Sequence, residues 1–238
     1  MSRALVLAAV VTLAPAGAAA APSTQAVPIL MYHVIDSPPA GAPYPALYVP
    51  RSEFAGQVSW LAAHGYHEVT LDQVYAAWER GAQLPRKPVV FTFDDGYLPD
   101  LTAALPILRK HHWPGVLFLQ IGNLAPVRVR ELQGGGWEID AHTFTHPDLT
   151  MVGSVQLRRE IAGSRTWIRG VFHVPCDFFA YPSGRFNAAV VAEVRAAGYR
   201  AAVTTMYGLA SPRQGLYTLD RIRVNGGDGV AGLAAKLQ

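Results

Sequence analysis

From Val27 onward the chain alternates short uncharged apolar runs with amphipathic stretches, and this alternation limits its fold more than any other feature. The clearest run is Pro88-Val89-Val90-Phe91-Thr92-Phe93, β-branched and aromatic without a charge, which reads as a strand buried on both faces. Further strands are expected at 27–32, 115–120, 137–141, 177–181, 200–204 and 219–224. Between them, Ser52 is the expected N-cap of a helix that places Phe54, Val58, Leu61 and Ala62 on one face and ends at Gly65. Helices are also expected at 71–80, stopped by Gly81, and around 101–111, at 154–168, at 188–197 before Gly198, and at 230–237. Such alternation implies a mainly parallel sheet. Seven or so strands in about 210 residues suit an irregular (β/α) barrel, whose chemistry sits at the C-terminal ends of the strands.

The 238 residues show no internal repeat and no linker between two cores; with 50% apolar and 16% charged residues, disorder is excluded. The net charge of +3 comes from basic residues scattered along the chain, so no nucleic-acid partner is expected. The single cysteine, Cys176, excludes an intramolecular disulfide, a zinc site built on several thiolates and an iron–sulfur cluster. Residues 1–21 read as an export signal: Arg3, an apolar stretch from Ala4 to Leu13, and small residues at Ala18 to Ala21. That stretch ends at Pro15, too short to span a bilayer, and no second candidate follows. The expectation is therefore an exported chain (secreted, periplasmic or wall-associated), with a catalytic domain over 22–238, no membrane span after cleavage, and a monomeric state.

Two clusters fall at expected strand ends. Thr92-Phe93-Asp94-Asp95-Gly96 puts two adjacent carboxylates after the most apolar strand, where repulsion and desolvation penalise both. A cation bound by one would relieve this and leave the other as a base; a plain Asp-Asp-Gly turn is the alternative. His142-Thr143-Phe144-Thr145-His146 follows the 137–141 strand, and two histidines four apart can converge on one ion. With one aspartate they make a two-His, one-carboxylate set that leaves coordination positions open. Solvated loop histidines are the bland alternative.

Together these segments resemble the first two motifs of the polysaccharide deacetylases, carbohydrate esterase family four. Ile29 to His33, Gly136 to Ile139, His146 to Leu149, Phe179 to Gly184, Ala197 to Tyr199 and Leu219 to Ile222 resemble the branch that includes the bacterial poly-N-acetylglucosamine deacetylases. The resemblance implies a deacetylase-type barrel and a metal site of Asp95, His142 and His146, most often holding zinc, with cobalt or nickel as alternatives. It makes Asp94 the general base toward the attacking water and puts an oxyanion donor at the backbone N–H of Ser183. Most of the family takes its acid from a late histidine. None occurs after His173 here, and in this branch the equivalent strand comes first, so His33 is the expected general acid.

The third motif departs from the family pattern, with Ala180 where an arginine usually orients the base and Ser183 where an aromatic follows the proline. Arg221 is the expected replacement, since a guanidinium can grip a carboxylate bidentately, and Arg223 on the same strand face is its competitor. The fourth motif is not recognisable. Asp140 is a candidate to orient a histidine ligand. His64, His67, His111, His112 and His173 read as helix-end or structural residues, Cys176 as a buried filler, and Trp113 and Trp137 as core.

The function expected is removal of N-acetyl groups from an N-acetylglucosamine-containing cell-wall or extracellular polysaccharide. Rival readings are hydrolysis of O-acetyl esters on xylan-like polymers, a non-haem iron oxygenase, and a catalytically inactive sugar-binding protein.

Overall fold

Seven parallel strands close into a barrel in the computed structural model, which describes residues 21–238. The strands are β1 (Ile29–Tyr32), β2 (His67–Glu68), β3 (Pro88–Asp95), β4 (Val116–Leu119), β5 (Glu138–Ala141), β6 (Phe178–Ala180), β7 (Ala201–Tyr207) and β8 (Leu219–Arg223). The ring runs β1-β8-β7-β6-β5-β4-β3 and closes through the β1–β3 register Ile29↔Val90 to Tyr32↔Phe93; the short β2 flanks β3 outside it. The barrel is irregular because β5 and β6 meet through one register pair, Ala141↔Phe179, and β7 and β8 slip between Val203 and Tyr207.

The helices are α1 (Arg51–Ala63), α2 (Leu71–Arg80), α3 (Leu105–Arg109), α4 (Pro126–Gly134), α5 (Ser154–Arg158), α6 (Ser164–Phe172), α7 (Ala188–Ala196) and α8 (Gly229–Lys236). Alternation along the strands sorts their side chains into two cores. Tyr32, Phe91, Phe93, Leu117, Leu119 and Ile139 point outward and pack with helix residues such as Phe54, Val58 and Leu61. Ile29, Val90, Val116, Phe118, Phe178 and Val203 fill the inside, joined by Leu71, Val74 and Trp78 of α2. Helix α2 thus plugs the N-terminal end of the barrel. Its boundaries follow from the sequence: Thr70 and Gln73 form a capping box, and Gly81 ends it with φ +69°. Glu138, at the start of β5, accepts from the N–H groups of Leu71 and Asp72 and ties the plug to the wall.

The seven expected strands all form, and several details differ. Ser52 lies inside α1, whose N-cap position is Pro50. Proline's fixed φ suits the helix entrance, so the hydroxyl caps nothing. Strand β3 extends through Asp94 and Asp95, so the carboxylates belong to the sheet and the turn starts at Gly96. Helix α4 was not expected, because charged residues interrupt its apolar pattern and only Val129 and Leu132 are buried. The stretches around 101–111 and 154–168 each contain a five-residue π-helical segment, Asp100–Ala104 and Arg159–Gly163. The expected export signal lies outside the described residues except for Ala21. Among the described residues no helix is long and apolar enough to cross a membrane.

Candidate active site

The C-terminal ends of β1, β3, β5, β6 and β8 converge on one cavity of about 810 Å³. His33, Asp94, Asp95, His142, His146 and Ser183, six of the seven site residues expected from the sequence, line it. Arg221, the seventh, lies fully buried behind Asp94.

Asp95 Oδ1 is 3.5 Å from His142 Nε2 and 3.8 Å from His146 Nε2, and one ligand atom from each residue lies within 4.8 Å of the others. Bonds of about 2.0–2.1 Å in tetrahedral geometry separate neighbouring ligand atoms by about 3.3 Å, so the trio fits a small divalent cation with little movement. The tautomer of His142 also suits a ligand. Its Nδ1 is 2.8 Å from the Ala180 carbonyl, which can only accept, so Nδ1 carries the proton and Nε2 offers its lone pair. Asp140 does not orient the ligand as expected. Its Oδ1 accepts from the Phe178 N–H and it remains inside the barrel, because His142 has left the strand and turned toward β6.

Asp94 is held differently. Both its oxygens accept from Arg221, at 2.8 Å and 2.7 Å, while the same guanidinium donates to Thr92 Oγ1 and to the Thr204 carbonyl. This bidentate pair supplies the carboxylate orientation that no third-motif arginine provides. Burial alone would push the Asp94 carboxyl up, but the charge and hydrogen bonds of Arg221 outweigh it and hold the group well below the usual carboxylate range. His33 Nε2 lies 4.0 Å from Asp94 Oδ2. Burial lowers its pKa to about 4 against the pull of Asp94 and Asp95, so at neutral pH the ring is uncharged.

Four non-glycine residues here adopt positive φ: Asp95 (+74°), Thr143 (+68°), His146 (+54°) and Ser183 (+52°). Such conformations cost about 1–3 kcal/mol each and persist where surrounding contacts enforce them. Two buried carboxylates, neither apparent as a site residue in the sequence, fasten the turn after Asp95 and the loop that holds Thr143 and His146. Asp100 Oδ2 accepts from the Tyr97 N–H and fastens the turn after Asp95. Glu160 accepts from the N–H groups of Phe144 and Thr145 and from the Thr145 hydroxyl, at 2.8, 3.0 and 2.8 Å, and so pins the loop between the two histidines. Each sits in one of the π-helical segments, a deformation often found at functional sites. Glu160→Ala would leave two backbone donors without their acceptor. A divalent cation held by Asp95, His142 and His146 is expected to bind about 10–100-fold more weakly, measured with zinc as the probe by competition with a chromophoric chelator. A wild-type affinity in a folded E160A variant would rule out this tether as a determinant of the histidine geometry.

The remaining residues behave as the sequence suggested. Cys176 is buried and burial pushes its thiol up, which leaves it unreactive. Trp137 is core. His64 is stacked on Trp60 at the end of α1, and His173 closes α6 in a left-handed conformation.

Comparison with known proteins follows the same lines. A family model described as "Polysaccharide deacetylase" matches residues 81–202. The chain is 33% identical over 207 residues to the putative polysaccharide deacetylase YxkH of Bacillus subtilis, covering 84% of this chain and 72% of that protein. It is 23% identical over 197 residues to the poly-beta-1,6-N-acetyl-D-glucosamine N-deacetylase of Staphylococcus aureus strain MRSA252, covering 74% and 68% respectively. Among solved structures, the Streptococcus pyogenes deacetylase PplD in complex with acetate superposes with a TM-score of 0.85 at 28% identity, over 91% of this chain and all of that one.

Proposed function

The chain belongs to the polysaccharide deacetylase family, a family of hydrolases, and on that premise we propose that it removes N-acetyl groups from an N-acetylglucosamine-containing extracellular or cell-wall polysaccharide, with a divalent metal, zinc, as cofactor. The observation that carries this reading is the juxtaposition, in one cavity, of an Asp95–His142–His146 cluster and a separate carboxylate, Asp94, locked by Arg221. A sugar-binding protein needs no such base beside a cation cluster. Similarity to the staphylococcal enzyme, named as an N-deacetylase of poly-beta-1,6-N-acetyl-D-glucosamine, supports the acetamido substrate.

When bound at Asp95, His142 and His146, the cation supplies Lewis acidity toward the attacking water and the acetamide carbonyl. Asp94 takes the proton of that water, with its orientation set by Arg221. The backbone N–H of Ser183, just after Pro182, serves as oxyanion donor. His33 accepts the proton from Asp94 and delivers it to the leaving nitrogen as the C–N bond breaks. One proton thus passes from water to nitrogen, and the products are the free amine and acetic acid, which releases its own proton to give acetate at neutral pH.

Acetate release from N-acetylglucosamine oligomers tests the reaction, with acetylated xylan as the ester comparison. Release from the oligomers that stops on chelation and returns with zinc is the expected result; release from xylan alone would reject the amide substrate. The neutral state of His33 adds a second expectation. A relay that starts from uncharged imidazole gives a kcat/KM profile level between about pH 5 and 7. A basic limb centred near pH 6.5 that disappears in His33→Gln would instead require a protonated histidine at the start.

A further inference from the structure

Arg221 and Arg223 alternate on β8 and share a face, with Arg223 one step nearer the barrel mouth. Arg221 is fully committed to Asp94, Thr92 and Thr204. Arg223 lines the cavity, half-buried, and among the described residues it forms no ion pair with a carboxylate. Asp94 attracts it, but both oxygens of that carboxylate are already taken by Arg221, which repels it. Two arginines beside two aspartates leave no negative charge in excess, and a divalent cation at Asp95 would make the cavity positive. A second arginine at this position is thus unfavourable for folding, as functional residues often are.

Its place in the cavity indicates what it meets. Arg223 is in register with Met31 of β1, the strand that ends just before His33, and β7 and β6 separate β8 from the β5 strand that leads to His142. On the mechanism proposed above, the His33 neighbourhood is the leaving-group side of the cavity, where the sugar would lie. We propose that Arg223 forms an anion subsite next to the reacting acetamido group, and that the preferred substrate is an N-acetylated glycan with a carboxylate or phosphate on the reacting sugar or its neighbour. The inference rests on the N-deacetylase reading for the identity of the reacting group. The guanidinium's planar fork suits either anion.

The test compares N-acetylglucosamine oligomers of one length in neutral, succinylated and phosphorylated forms, acting on the metal-loaded full chain. Binding of neutral and succinylated glucose oligomers, which have no acetamido group to hydrolyse, is measured alongside. The expected result is a preference of about tenfold or more in kcat/KM for at least one anionic form, residing in KM, and a matching preference in binding. Added salt should shrink it, Arg223→Gln should abolish it, and Arg223→Lys should retain part of it. The succinylated and phosphorylated arms separate a carboxylate from a phosphate as the anion read. Equal use of neutral and anionic oligomers would overturn the proposal, as would an R223Q variant that loses activity on all of them by the same factor. If no oligomer releases acetate while the glucose-oligomer preference persists and depends on Arg223, the anion subsite stands and the deacetylase reading falls.

Discussion

Replacement of Arg221 by methionine is expected to destabilise the protein by about 3–5 kcal/mol at pH 7 and to remove hydrolytic activity. The guanidinium is fully buried and makes four hydrogen bonds, two of them to Asp94. Methionine fills much of the volume but leaves a carboxylate inside the barrel without its counter-charge. The pH dependence identifies the cause. In the native protein the Asp94 pKa lies below its unfolded value, so the pair's contribution is fully present above the ordinary carboxylate range and is lost as the pH falls through the lowered pKa. In R221M the largest contribution opposing burial is gone, the folded pKa rises, and the variant gains stability as acid neutralises Asp94. The gap in unfolding free energy between the two proteins should therefore narrow from pH 7 toward pH 4. A gap that stays constant over this range would mean that Arg221 acts by packing alone.

The ion pair also marks how far the sequence could be read. Asp94, Asp95, His142 and His146 were legible because each pair is close in the chain and falls at an expected strand end. The barrel was legible for a similar reason, since uncharged strands such as 88–93 advertise burial on both faces. Arg221 could be proposed only because Ala180 occupies the family's usual arginine position. Its contacts to Asp94 span 127 residues and depend on β1 separating β8 from β3 in the closed ring. Asp100 and Glu160 gave no signal at all. Each reaches back from a π-helical segment, and an i, i+4 pattern has no way to announce such a segment. Asp140 was misread for a related reason. Spacing two residues before His142 suggests a shared face, but that rule ends with the strand, and the imidazole finds a backbone carbonyl on β6 instead. Local chemistry was thus visible, whereas the contacts that orient it depend on closure of the barrel.

Asp94→Asn should separate the two adjacent aspartates most sharply. The amide keeps the shape of the carboxylate and one acceptor for Arg221, but it cannot take a proton from water at neutral pH. Loss of a positioned general base lowers kcat/KM by about 10²–10⁴. Because Asp94 lies outside the Asp95–His142–His146 cluster, zinc affinity should change far less than activity, and added zinc should not restore the rate. Asp95→Asn should show the opposite pattern: a large drop in zinc affinity, with activity partly recovered at high metal concentration. Zinc titration and acetate release on the same two preparations decide between these assignments. If D94N lost zinc affinity and regained its rate with excess metal, the roles of the two carboxylates would be exchanged. If D94N retained activity within tenfold of the native protein, the base would have to be sought elsewhere. His33 would then be the first candidate, since at neutral pH it is already uncharged and only 4.0 Å from Asp94.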